Sequence, residues 1–440
     1  MQEFIAFDGS SFYSVEPVGK VDNQNLHGLD NIDMVIVTPP DFITEANRLA
    51  EHHRNYDNLN VVVTELQDIY NEFSSGAADI SAIRDFIKML YDQAAPGNEP
   101  QYLLLFGDAS FDYKNRVANN SNYVPTWESP ESLNPVGSYI TDDFFGLLDG
   151  DGMIDIGIGR FVVNNAQQAK NAVDKTIHYA VNSDEVMNDW RNIICLIADD
   201  EDNNLHYTDS EKLAVQIDTT NKNINIDKIY LDAYIQESTP SGELYPKVTQ
   251  DIANRVERGA LIINYVGHGG ELGLAHERIL TVADINGWDN YNNLPVFLTA
   301  TCEFSRFDDP ERTSAGELIF LNSHGGGISL FSTSRATYAG ANATLNRNFF
   351  IYTLQKSDGE YLRMGDVIRY SKNASGSMDN TRKFVLLGDP ALQFAFPKQN
   401  AVVTQINGVS VLNETDTLKA LSNVTAVSYT HLTLPTIYSV

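Results

Sequence analysis

Short apolar runs alternate with stretches of helical spacing along most of the chain. Met34-Val35-Ile36-Val37 is one such run, and residues 42–56 follow with apolar positions every three to four residues. Val61-Val62-Val63, a helical stretch at 80–94 and Tyr102-Leu103-Leu104-Leu105-Phe106 continue the alternation. After a long polar loop to about residue 143, a strand at 154–161 and a helix at 167–180 resume it. Apolar runs this short, separated by amphipathic segments, predict parallel strands joined by crossover helices. A second series begins near residue 190, with strands predicted at 193–198, 229–233, 260–266, 295–299 and 328–332. Helices are predicted between them at 210–218, 245–257 and 315–321, and a closing segment at 384–396. The pattern predicts an α/β fold of two tandem parallel-sheet subdomains, residues 1–185 and 186–398. From residue 399 to 426, Val, Ile and Leu alternate between turn residues, as at the start of a β-domain.

Residues 427–440 read differently. Val427-Ser428-Tyr429-Thr430-His431-Leu432 looks like a translated sequencing-library adapter, and we expect an artefact tail there. Charge narrows the partners. The 440 residues carry 59 acidic against 30 basic side chains, a net charge of −29, which argues against nucleic acid or an anionic membrane. The acidity is uneven: residues 1–250 hold 41 acids and 15 bases, residues 251–440 hold 18 and 15. No apolar run approaches the roughly 18 residues of a membrane helix, and the first residues lack the basic start and apolar core of a signal peptide. Two cysteines, Cys195 and Cys302, are too few for a disulfide scaffold.

Ligands of open α/β sheets bind beyond the carboxyl ends of strands, so candidate chemistry lies in the residues after each strand. Leu261-Ile262-Ile263-Asn264-Tyr265-Val266 runs into Gly267-His268-Gly269-Gly270, and Pro295-Val296-Phe297-Leu298-Thr299-Ala300-Thr301 runs into Cys302. A thiol needs a base or a depressed pKa to attack a carbonyl at neutral pH, and His268 supplies one if the two strands are neighbours. The glycines beside it allow close backbone approach and leave N–H groups for an oxyanion. The bland alternative is a buried cysteine and a histidine in a glycine-rich turn. Cys195, inside Ile193-Ile194-Cys195-Leu196-Ile197, fits that alternative; Cys302, followed at once by Glu303, Ser305, Arg306, Asp308 and Asp309, does not. His276 is a weaker candidate base, His52 and His53 are expected on a solvated helix face, and His206 has no partner pattern. Metalloprotease, nucleophile-elbow, Walker and dinucleotide motifs are absent. Asp149, Asp151 and Asp155 have the composition of a calcium loop without its full spacing, and an acidic turn is the alternative.

An apolar run ending in His-Gly, then one ending in Ala-x-Cys, resembles the caspase-fold cysteine peptidases. Within them the chain is similar to gingipains, at residues 264–269, 386–392 and 144–161. The likeness is closer still to the gingipain-like sortases of the type IX secretion system. Thr299-Ala300-Thr301-Cys302-Glu303-Phe304-Ser305-Arg306-Phe307-Asp308 carries it most specifically, with Ile69-Tyr70-Asn71-Glu72-Phe73-Ser74-Ser75-Gly76 and His268-Gly269-Gly270-Glu271. The resemblance implies a caspase-like second subdomain followed by an immunoglobulin-like domain of which residues 399–426 are the start. It implies Cys302 as nucleophile, His268 as general base and then acid, and the N–H groups of Gly269 and Cys302 as oxyanion hole. It also implies an acidic residue that orients the histidine, for which Glu128 is the candidate, and substrate contacts at Asp142 and Glu271. No cofactor is needed for the chemistry, and a structural calcium is the one metal expected. The partners implied are secreted proteins with a C-terminal sorting domain, a lipopolysaccharide acceptor and outer-membrane secretion components, at the cell surface. A purely hydrolytic endopeptidase and a non-catalytic surface adaptor are the alternatives.

Overall fold

The computed structural model describes residues 8–10, 14, 16–17, 19–130, 134, 136–240, 242–376, 378–397, 401–412 and 418–430. Ten strands form one sheet: β1 Met34–Thr38, β2 Val61–Glu65, β3 Tyr102–Phe106, β4 Gly157–Phe161, β5 Ile193–Ala198, β6 Asn225–Tyr230, β7 Ile262–Val266, β8 Val296–Ala300, β9 Ser329–Thr333 and β10 Phe384–Leu387. Their order is β2-β1-β3-β4-β10-β9-β8-β7-β5-β6. Every pairing is parallel except β9 with β10. The apolar runs read from the sequence are these strands. Every residue of β1, β3, β4, β7, β8 and β9 is buried, as expected where helices cover both faces of a parallel sheet.

The two predicted series are the two halves of this sheet, and they join along a single seam. There β10 meets β4 through one registered pair, Leu387 with Arg160. The seam is tight: a Cβ on Gly159 would lie 2.2 Å from the Gly388 carbonyl oxygen, so glycine at 159 is what lets the halves approach.

The outer edge strand of the second half, β6, departs from the reading at 229–233. It runs Asn225–Tyr230, and only its last two residues are buried; Leu231–Ala233 is a 3-10 turn. An edge strand with a polar outer half leaves no apolar run to find. Histidine 53 is a second correction. Instead of a solvated position it is buried, with Nδ1 2.7 Å from Asp57 and Nε2 2.7 Å from Asp389. Burial pulls its pKa down, but the two carboxylates outweigh it and hold the imidazolium to about 9.

Strands 401–406, 409–410 and 426–430 form a separate antiparallel sheet. The expected adapter tail overlaps its last strand at 427–430, and residues 431–440 lie outside the described residues, as do residues 1–7. Among the described residues no helix is long and apolar enough to cross a membrane.

Candidate active site

Strand order reverses between β5 and β7, because the chain leaves β5 outward to β6 and returns on the other side of β5 to build β7, β8 and β9. Such a switch point opens a crevice at the carboxyl ends of the strands. Registers place Ala198, Val266 and Ala300 side by side as the last residues of β5, β7 and β8. His268 and Cys302 therefore both sit two residues beyond a registered pair, at one edge of the sheet, and the acidic run Asp199-Asp200-Glu201-Asp202 leaves β5 beside them.

That acidic run shapes the histidine. Asp199 is fully buried, and its Oδ2 accepts the His268 backbone N–H at 2.8 Å. Burial raises the Asp199 pKa, while the His268 N–H acts against the rise. Tyr265 Oη donates to the His268 carbonyl at 2.6 Å. Between them these bonds fix the backbone on both sides of the ring. The His268 Nε2 lies 3.0 Å from Asp202 Oδ2 and 3.6 Å from Glu201 Oε2. Its ring stacks on His276 at 5.1 Å and meets His206 edge-on at 5.3 Å.

The cysteine is held by the loop after β9. The Thr337 backbone N–H points at Cys302 Sγ across 3.4 Å, and the thiol reaches the Thr337 carbonyl at 3.8 Å. Thr337 Oγ1 and Thr333 Oγ1 both donate to the Thr301 carbonyl, at 3.0 and 2.6 Å. Arg335 forks onto Asp308 at 2.8 and 2.5 Å, pinning the same loop to the segment after the cysteine. Lys383 donates to the Ala336 carbonyl at 2.8 Å. Burial lowers the pKa of its ammonium, against the opposing fields of Asp379 and Cys302. Cys302 is half-buried, whereas Cys195 is fully buried and burial pushes its thiol well up.

Three expectations from the sequence are corrected here. The carboxylate that meets the His268 ring is Asp202, not Glu128. Glu128 instead faces the field of Asp308 and Arg335, and desolvation, reinforced by Asp308, raises its carboxyl to about 7. It lines a cavity of about 300 Å³ with Trp127, Thr126, Tyr113, Ser110 and Tyr70. Asp142 is not open to substrate: Arg160, wholly buried, binds both of its oxygens at 2.8 and 2.7 Å, and Thr126 adds a third bond at 2.8 Å. Glu271 is occupied by Arg306 at 2.6 Å and Arg312 at 2.5 Å. Burial works against its ionisation, but the two guanidiniums hold its carboxyl below the usual range; its role is to tie the loop after His268 to the loop after Cys302. Asp149, Asp151 and Asp155 make an acidic turn. Their carboxylates accept from the N–H groups of Asp151, Met153 and Leu148 at 3.0, 2.7 and 2.8 Å. One oxygen from each does not bring the three within 4.8 Å of one another.

Sequence reasoning missed Asp199, Asp202, His206, Thr337 and Lys383. The first two were within reach, because the rule that singled out His268 and Cys302 applies equally to the acidic residues that follow β5.

A half-exposed thiol and an imidazole at one switch point of the sheet are the arrangement of a cysteine peptidase site. The family model described as Peptidase family C25 matches residues 27–395, and the chain belongs to that family. It is 24% identical over 310 residues to Gingipain R2 of Porphyromonas gingivalis strain W83, which covers 65% of this chain and 36% of that protein. It is 25% identical over 258 residues to Gingipain R1 of Porphyromonas gingivalis, covering 57% of this chain and 22% of that one. The chain thus spans about a third or less of the length of these curated relatives. Its fold is that of the Arg-specific cysteine proteinase gingipain R (RgpB), with a TM-score of 0.65 at 19% identity over 86% of this chain and 82% of the other. Dimeric latent PorU from Porphyromonas gingivalis aligns at 26% identity over 94% of this chain and 35% of that one, with a TM-score of 0.49.

Proposed function

We propose that the protein is a peptidase of sortase type, which cleaves the peptide bond before a C-terminal sorting domain of secreted proteins and passes the cargo to an amine. The observation that carries the peptidase step is the shared sheet edge of His268 and Cys302, set by the Val266–Ala300 register. With Nε2 directed to Asp202, Nδ1 of His268 takes the thiol proton, and the Cys302 thiolate attacks the scissile carbonyl. The N–H groups of Gly269 and Cys302 receive the oxyanion. His268 then gives its proton to the leaving amine, and a thioester remains on Cys302. An incoming amine attacks the thioester, loses its proton to His268 and releases the thiolate; water in its place gives the free acid.

Support for the amine route is the likeness of residues 299–308 to the gingipain-like sortases. The acceptor in this reading is a lipopolysaccharide amine, and the enzyme works at the cell surface beside outer-membrane secretion components. The test is incubation with a cargo protein bearing a C-terminal sorting domain and lipopolysaccharide, with the products weighed by mass spectrometry. A cargo–glycolipid conjugate that disappears in Cys302→Ala is the expected result. Free acid as the sole Cys302-dependent product makes the protein a hydrolytic endopeptidase instead.

A further inference from the structure

His206 has no role in the chemistry above, yet it is buried and neither ring nitrogen makes a hydrogen bond among the described residues. It stands on the helical stretch Glu201–Thr220, four residues beyond Asp202. Its Nε2 is 3.3 Å from Asp202 Oδ2, and His268 Nε2 is 3.0 Å from the same oxygen. The three donor atoms lie within 4.8 Å of one another. A tetrahedral zinc with bonds of roughly 2.0–2.1 Å sets its ligands about 3.3 Å apart, close to the 3.3 and 3.0 Å of the two edges through Asp202. Two imidazoles and one carboxylate suit zinc-class ions rather than calcium, which prefers oxygen alone.

From this geometry we infer that Asp202, His206 and His268 form a binding site for a divalent transition ion of the zinc class, with one coordination position left open. The site goes beyond the peptidase reading, and its consequence for catalysis rests on that reading. A neutral imidazole has one lone pair. An ion on Nε2 of His268 leaves the proton on Nδ1, so the ring cannot accept the Cys302 proton, and the ion acts as a reversible inhibitor. His276 and Glu201 offer a rival grouping around the same ring. The exposed His276 already has Glu201 as hydrogen-bond partner at 2.9 Å, whereas His206 Nδ1 and Nε2 have none, so His206 is the ligand chosen.

The test measures binding of zinc chloride to the 440-residue chain by equilibrium dialysis, which needs no activity. One ion per chain is expected. His206→Ala and His206→Asn should weaken it by at least about tenfold, since even outer-sphere partners of a metal cost that much. His276→Ala and Cys302→Ser should bind as the parent does. Cobalt(II) on the unsubstituted chain gives a second readout independent of any variant: intense visible bands of tetrahedral coordination with no thiolate charge-transfer band. Loss of binding in Cys302→Ser, a thiolate band, or loss in His276→Ala with retention in the His206 variants overturns the assignment. If zinc binds as expected but the parent shows no peptidase activity, the site stands and the peptidase reading fails.

Discussion

Gly269 and Thr301 leave no room for a side chain between the histidine loop and the cysteine loop: a Cβ on Gly269 would lie 2.6 Å from Thr301 Oγ1 and 3.3 Å from its Cγ2. The contact lies one residue from His268 on one side and one residue from Cys302 on the other. Gly269→Ala should push the loops apart and lower kcat/KM by about 100-fold, the cost of a displacement near 1 Å at a reacting centre. Among the described residues the buried Thr301 hydroxyl has no hydrogen-bond partner, so Thr301→Ala alone should be mild. Combined with Gly269→Ala it should restore most of the activity. Steady-state kinetics on the three variants check this, and additive losses in the double variant would show that the contact does not set the spacing.

Asp142 and Arg160 carry a different expectation from the one the sequence suggested. The guanidinium also donates to the carbonyls of Gly107 and Val124, at 2.8 and 2.7 Å, so the pair anchors the long loop to β4. Removing one member of a buried pair strands the other charge and costs about 3–5 kcal/mol. Asp142→Ala should lose stability on that order in urea unfolding. Asp142→Asn should leave the ratio of kcat/KM between basic and neutral residues at the cleaved bond unchanged. A collapse of that ratio with unaltered stability would return Asp142 to the substrate pocket.

How much of this was legible in the sequence follows from where each interaction lies along the chain. Strands buried on both faces announce themselves as apolar runs, and the residues after them carry the nucleophile and base, so Cys302 and His268 could be read directly. The edge strand β6 could not, because solvent tolerates polar residues at Asn225 and Asp227. The start of the helical stretch Glu201–Thr220 was hidden for a local reason. Asp202, Asn203 and Asn204 take positive φ, which asparagine and aspartate tolerate and which reads as a turn. Pairings between distant segments were not legible at all. Nothing near His53 points to Asp389, and nothing near Asp142 says that Arg160 will be buried against it. A carboxylate reads as available for substrate until the fold shows what already holds it.

His53 gives a pH-dependent expectation. Its folded pKa of about 9 stands above the ordinary 6.5. A raised pKa means that the folded state binds the proton more tightly, so this stability is fully present below about pH 6.5 and fades as pH rises through 9. The shift corresponds to roughly 3 kcal/mol. Unfolding by urea should therefore show the parent chain losing stability between pH 6.5 and 9 at a slope that His53→Gln lacks. The variant should also be less stable at pH 6. Equal slopes in the two proteins would mean that His53 is neutral in the folded chain.

The two cysteines separate an enzyme from an adaptor that has the fold without the chemistry. Cys195 lies in the middle of β5, with no exposed surface and a thiol whose ionisation burial opposes. Cys302 is half-buried and accepts the Thr337 N–H. Alkylation requires both access and thiolate, so iodoacetamide on the folded chain should label Cys302 first and Cys195 only after denaturation. A peptidyl electrophile should go to Cys302 alone, and His268→Ala should slow that reaction far more than it slows iodoacetamide, because the base matters most when the thiol attacks a positioned carbonyl-like centre. Mapping the labelled residue by mass spectrometry decides it. Equal labelling rates at the two cysteines would leave the protein with the fold of a peptidase and no nucleophile.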